Sequence, residues 1–192
     1  AERVLTVKTF NAGQICIAPD YVMLPASAQD DFVTHARAFV SRVFPTLHPN
    51  PDYTAVISER HFQRLNALLD DARAQGATVV ELQPAGEPHA DATTRKMAPT
   101  LVLGATEAMR VMQEEIFGPI LPVLIYDNVD QAIDRVRQGD HPLALYWFGQ
   151  DRTTQDKILE STLAGGVTIN DCLYHLTQES QPFGGVGASG MG

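Results

Sequence analysis

The chain has 192 residues, 44% hydrophobic and 19% charged, which is the balance of a globular domain with a real core rather than of a disordered segment. Its net charge of -9 excludes the clustered Lys and Arg that a nucleic-acid partner needs. No apolar run approaches the ~20 residues that span a bilayer, and the opening "AERVLTVKTF" has no long apolar core, so neither a membrane segment nor a signal peptide is expected.

In chain order, "NAGQICIAPDYVML" (11–24) sets one cysteine in a small-residue loop, and "DYVMLP" then reads as a strand ended by Pro25. Phe32, Val33, Ala36, Phe39, Val40 and Val43 share one helical face, with Ser27 as the expected N-cap. A proline-rich connection leads to a second helix. Ser58 caps it, Phe62, Leu65, Leu69 and Ala72 form its stripe, and Gly76 ends it. "ATVVEL" is a strand, 83–98 a polar surface loop and "TLVL" a strand. "ILPVLIYD" is a longer strand, in which Pro122 predicts an edge position or a bulge. A helix over 129–137, the strand "LALYWFG", a helix from Thr153 to Ser161 and the strand "GGVTIN" complete the pattern. Strands separated by helices predict an α/β fold, a three-layer αβα arrangement on a mainly parallel sheet, in one domain over 1–192.

Three stretches bear on chemistry. Cys16 has two readings: a small buried hydrophobe, or a nucleophile in a loop that Gly13 frees to adopt unusual angles. Its own backbone N–H is an oxyanion donor in the second reading. In "QEEIFGPILPV" (113–123), Gly118-Pro119 fixes a turn at a strand end, where α/β folds place ligands, and Glu115 there can accept both hydroxyls of a ribose. After "GGVTIN", Asn170, His175 and Phe183 are candidates for a pocket wall. Asn170 can equally serve only to satisfy backbone groups, and His175 to face solvent. The tail contains GxGxxG at Gly185, Gly187 and Gly190, but only two residues follow. It is read as a conformationally demanding loop and not as a dinucleotide fingerprint. Cys16 and Cys172 lie far apart without CxxC spacing, so neither a metal site nor a disulfide framework is expected, and the compartment is read as reducing.

Taken together, "GQICIAPDY", "EEIFGPILPV" and "PFGGVGASGMG" resemble the aldehyde dehydrogenase superfamily, in the family's order and over the whole chain. "APDY" and "PFGGVG" look most like its class 3 branch of coniferyl, fatty and benzaldehyde-type enzymes. The resemblance implies an oxidoreductase that converts an aldehyde to a carboxylic acid with NAD or NADP through a thiohemiacetal and a thioester. It implies Cys16 as nucleophile, Glu115 on the nicotinamide ribose, Phe117 beside the nicotinamide ring, and Phe183 in the substrate tunnel. It further implies a cytoplasmic homodimer whose partner is a small aldehyde. The family's cofactor-binding domain and general-base glutamate precede the cysteine. The chain is therefore expected to be the catalytic part of a longer enzyme, inactive alone. A cysteine esterase or thioesterase using His35, His61 or His175 as base, and an inert folded module, are the competing readings.

Overall fold

The first element of the computed structural model, which describes residues 1–192, is one the sequence reading left unassigned: helix α1 (Glu2–Thr9). It buries Val4, Leu5, Val7, Lys8 and Thr9. Strand β1 (Val22–Pro25) ends at the proline as expected. Helix α2 (Gln29–Val43) follows and buries Phe32, Ala36, Phe39 and Val40 against a neighbourhood that includes α1. Ser27 is not its cap. It lies inside a 3-10 turn, Ala26–Ala28, and Ala28 holds the N-cap position without a side-chain bond.

Helix α3 (Glu59–Ala74) starts as predicted: the Ser58 hydroxyl accepts the His61 N–H at 3.2 Å. Beyond its C-cap Gln75, Gly76 takes φ +91°, the left-handed turn that a glycine tolerates best. Its buried stripe of Phe62, Leu65, Leu68, Leu69 and Ala72 joins Val102, Ile116 and Ile120 in one core.

A four-stranded sheet runs in the order β1-β6-β5-β2, where β2 is Thr78–Glu81, β5 Thr100–Leu103 and β6 Ile120–Tyr126. β5 and β6 pair in parallel, with Val102 opposite Pro122, and β2 joins β5 antiparallel. Consecutive side chains of a strand point to opposite faces. Leu101 and Val102 are both fully buried, so both faces of the sheet's centre are covered. Pro122 corrects the expectation of an edge or bulge: β6 lies between β1 and β5 and the proline is buried. Its missing N–H removes one ladder bond, and burial on both faces holds the strand in place regardless.

Residues 83–98 are also more than a surface loop. Short strands β3 (Ala90–Asp91) and β4 (Lys96–Met97) pair antiparallel within it, and Met97 and Ala98 are fully buried. Tyr53, 1% exposed, donates its hydroxyl to the Met97 carbonyl at 2.7 Å.

The chain divides into two compact units, Ala1–Ile125 and Tyr126–Gly192. In the second, α4 (Val129–Gln138) is capped by Asn128 and α5 (Arg152–Ser161) by Asp151. Strands β7 (Ala144–Trp147) and β8 (Gly166–Ile169) pair in parallel, with α5 as their crossover, a βαβ unit. The molecule is thus of the α/β class, with parallel pairing in both units. No helix is long and apolar enough to cross a membrane.

Candidate active site

The cysteine loop is built from left-handed backbone. Asn11, Ala12 and Gly13 take φ +49°, +52° and +72° in succession. Single non-glycine residues in that region cost ~1–2 kcal/mol each, and such strain gathers at functional sites. Local hydrogen bonds offset it. The Asn11 amide donates to the Gln14 carbonyl at 3.1 Å, and the Gln14 amide donates to the Asn11 carbonyl at 2.8 Å. Gln14 also anchors the loop outward: it donates to the Ala55 carbonyl at 3.2 Å and accepts the Ile57 N–H at 2.9 Å. Two residues later, Ala18 N–H closes a turn on the Ile15 carbonyl, with Cys16 and Ile17 at its centre. Ile17 points inward, 2% exposed, and Cys16 is an exposed free thiol. The chain therefore presents this cysteine and does not bury it; the buried cysteine is Cys172.

The turn carrying Glu115 packs directly on this loop. A Cβ built on Gly13 would lie 2.3 Å from the Gly118 carbonyl oxygen, so the two backbones are in contact and only glycine fits. A second tie runs between the Asp20 carboxylate and the Ile116 N–H, which donates to it at 3.1 Å. Phe117 sits at φ +49°, half-buried. The adjacent Glu114 takes the ion pairs of the turn, with Arg64 at 2.7 Å and Arg110 at 2.8 Å, and the Glu115 side chain is exposed. An exposed carboxylate beside a half-exposed aromatic ring, on a turn fixed against the cysteine loop, fits the ribose and the flat ring of a nicotinamide cofactor.

Two charged groups not singled out in the sequence, Lys8 and Asp20, act on one another electrostatically next to these loops. Lys8 is 1% exposed. Burial lowers its pKa to about 8, while the Asp20 and Glu115 carboxylates oppose that fall. Asp20 is pushed up by burial, against the pull of Lys8, the Ile116 N–H and Arg64. On α3, Arg64 was not singled out in the sequence, and His61 was considered only as a base for Cys16. The His61 ring donates Nε2–H to the Phe117 carbonyl at 2.7 Å, and its Nδ1 accepts from Arg64 Nε at 3.3 Å. Arg64 donates to the Glu115 carbonyl at 3.2 Å and to the Ile116 carbonyl. The i, i+3 spacing of His61 and Arg64 just after a capped helix start was the available signal, since it sets both on one face. With both ring nitrogens engaged, His61 is not a base for Cys16. His35 lies exposed on α2.

In the second unit, the Asn170 side chain bridges the backbone of Gly149. It accepts the N–H at 2.8 Å and donates to the carbonyl at 3.0 Å, so it joins the ends of β7 and β8. His175 receives less solvent than a surface loop would give it. Its Nδ1 lies 3.0 Å from the Thr168 hydroxyl, its ring stacks on Phe183 at 6.1 Å and 19°, and Tyr146 is 5.9 Å away. Burial lowers its pKa below the usual imidazole value. The Gly185–Gly190 stretch forms a 3-10 turn, Gly187–Ser189, and Gly192 N–H returns to the Gly185 carbonyl at 3.1 Å.

Comparison with known proteins supplies the family. The profile described as the aldehyde dehydrogenase family matches residues 1–192. A protein named probable coniferyl aldehyde dehydrogenase from Caulobacter vibrioides is 56% identical over 192 residues, which is all of this chain and 40% of that protein. The coniferyl aldehyde dehydrogenase of a Pseudomonas species is 50% identical, with the same shares covered. Among solved structures, a substrate-bound AldH of Staphylococcus aureus superposes with a TM-score of 0.90 at 38% identity, over all of this chain and 40% of that one. A Mycobacterium tuberculosis aldehyde dehydrogenase complexed with NAD+ does so with a TM-score of 0.82 at 27% identity, over 99% of this chain and 39% of that one. The chain thus spans about 40% of the length of the curated relatives it matches. By its motifs, its fold and these likenesses, the chain belongs to the aldehyde dehydrogenase family.

Proposed function

We propose that the protein carrying this chain is an NAD(P)-dependent aldehyde dehydrogenase and that Cys16 is its nucleophile. The observation that carries the reading is the seating of the exposed cysteine loop against the Glu115 turn, at the Gly13–Gly118 contact and the Asp20–Ile116 bond. The Cys16 thiolate adds to the aldehyde carbon, and the carbonyl electron pair moves to oxygen. The Cys16 N–H donates to that oxygen. As the carbonyl re-forms, the aldehydic hydrogen leaves with its electron pair, giving a thioester on Cys16. Water then cleaves the C–S bond, releasing the acid and restoring the thiol. A bound nicotinamide supplies the hydride acceptor. Glu115 holds its ribose hydroxyls and Phe117 flanks its ring.

The names of the two curated relatives above support a coniferyl-type aromatic aldehyde as substrate. Within the second unit the His175 ring stacks on Phe183 and Asn170 fixes the loop start, which makes these three the proposed substrate contacts of that unit. The proposal extends to a cytoplasmic homodimer, and the net charge of -9 supports a reading without a nucleic-acid partner. In the cofactor-competent enzyme containing this chain, Cys16→Ala should lower turnover of coniferyl aldehyde by about 10³-fold or more, since removal of a covalent nucleophile has costs of that order. Reduction of cofactor at near-normal rates by that variant would refute the assignment.

A further inference from the structure

We propose that His61 and Arg64 are positioning residues for the cofactor, a clamp on α3 that holds three successive carbonyls of the Glu115 turn. The inference rests on the reading of Glu115 and Phe117 given above. Arg64 donates to the carbonyls of Glu115 and Ile116, and His61 donates to that of Phe117. The clamp is itself locked. Arg64 Nε fixes the proton of His61 on Nε2 by donating to Nδ1, and the Glu114 carboxylate takes Arg64 Nη1 at 2.7 Å. The His61 ring stands edge-on to Phe117, centroids 6.4 Å apart.

The turn needs such a device. Phe117 holds a left-handed φ that a phenylalanine disfavours, and Gly118 packs so closely on α3 that a Cβ there would lie 2.5 Å from the Leu65 side chain. A carbonyl that rotates out of the clamp would swing the Glu115 side chain with its own backbone. A ligand group displaced by about 1 Å can lose most of its effect. The clamp therefore fixes where the Glu115 carboxylate and the Phe117 ring meet a nicotinamide, without touching it.

The test uses the cofactor-competent enzyme that contains this chain, with His61→Ala, His61→Gln, Arg64→Ala, Arg64→Lys and Glu115→Gln. Each alanine variant should raise the KM for NAD+ or NADP+ by about five- to tenfold, the range for losing one or two hydrogen bonds. The KM for aldehyde should stay within about twofold, because the clamp's hydrogen bonds go to the Glu115 turn and to Glu114 and none of them to Cys16 or its neighbours. His61→Gln, whose amide N–H can reach the same carbonyl, should return most of the cofactor affinity. Arg64→Lys should not, since one ammonium cannot copy a planar fork. If Arg64→Ala fails to fold, the His61 pair decides alone. Unchanged cofactor KM in the alanine variants, beside a raised one in Glu115→Gln, overturns the clamp and leaves the Glu115 reading intact. Unchanged cofactor kinetics in Glu115→Gln overturn that reading and the clamp with it. An equal loss for both substrates, with a lowered melting temperature and no rescue by His61→Gln, also overturns the clamp.

Discussion

Burial strips an ammonium group of its hydration, and Lys8 shows the consequence: its pKa falls to about 8 although two carboxylates favour the charged form. Between about 8 and the unfolded value of ~10.4, the unfolded chain binds a proton that the folded chain does not, so stability rises with pH through that window. Below it, lysine is protonated in both states and the burial penalty is constant. Asp20 is shifted the other way, raised by burial, so the folded state holds its proton longer. Its contribution therefore falls as pH climbs from the ordinary carboxylate value through the raised one. Lys8→Met should remove the alkaline rise. Urea midpoints from pH 7 to 10 would show wild type gaining on the variant above pH ~8. Parallel curves would mean that the lysine does not titrate there. Asp20→Asn keeps an acceptor for Ile116 N–H but removes the opposing charge, so its alkaline rise should begin at lower pH. None of this was legible in the sequence, where Lys8 is one lysine in an opening stretch read only for its lack of a long apolar core. Around Cys16 and Glu115 the local backbone was legible, since Gly13 and the Gly118-Pro119 turn are where the two loops meet.

Among the elements, α3 has the most to do with the site, and its start is set by one hydroxyl. Ser58 accepts the N–H of His61, the residue whose ring grips Phe117. Ser58→Ala should cost ~1 kcal/mol, the usual value of an N-cap, and lower the melting temperature by roughly 2–4 °C for a chain of this size. A thermal scan showing no change would mean that the packing of Phe62 and Leu65 alone holds the first turn. The cap was readable because Ser58 precedes an apolar stripe at helical spacing. Ser27 carries the same local signal and failed, since the chain leaves β1 through a 3-10 turn that takes up the expected cap position. Pro122 misled in the same manner. A local rule about missing donors predicted an edge, but the sheet buries β6 from both sides. The β3–β4 pair was missed because its strands are two residues long, too short for any period.

On the scale of the whole chain, the two units differ in how much they bury. Nearly every fully buried apolar side chain belongs to residues 1–125, whereas the second unit has Ile133, Ile158 and Cys172. Hydrophobic burial is the main favourable term in folding, so the second unit should be the weaker. The chain contains one tryptophan, Trp147, and it lies on β7 in that unit. Its fluorescence therefore reports on the second unit, while the far-UV dichroism is dominated by α2 and α3, the two longest helices, both in the first. Guanidinium unfolding of the 192-residue chain should give two curves that do not coincide, the fluorescence transition falling at lower denaturant. A substitution confined to the first core, such as Leu65→Ala, should move the dichroism midpoint and leave the tryptophan midpoint in place, because it destabilises only the cooperative unit that contains it. Coincident transitions that shift together in that variant would show the two units unfolding as one, and the difference in burial would then have no thermodynamic expression of its own.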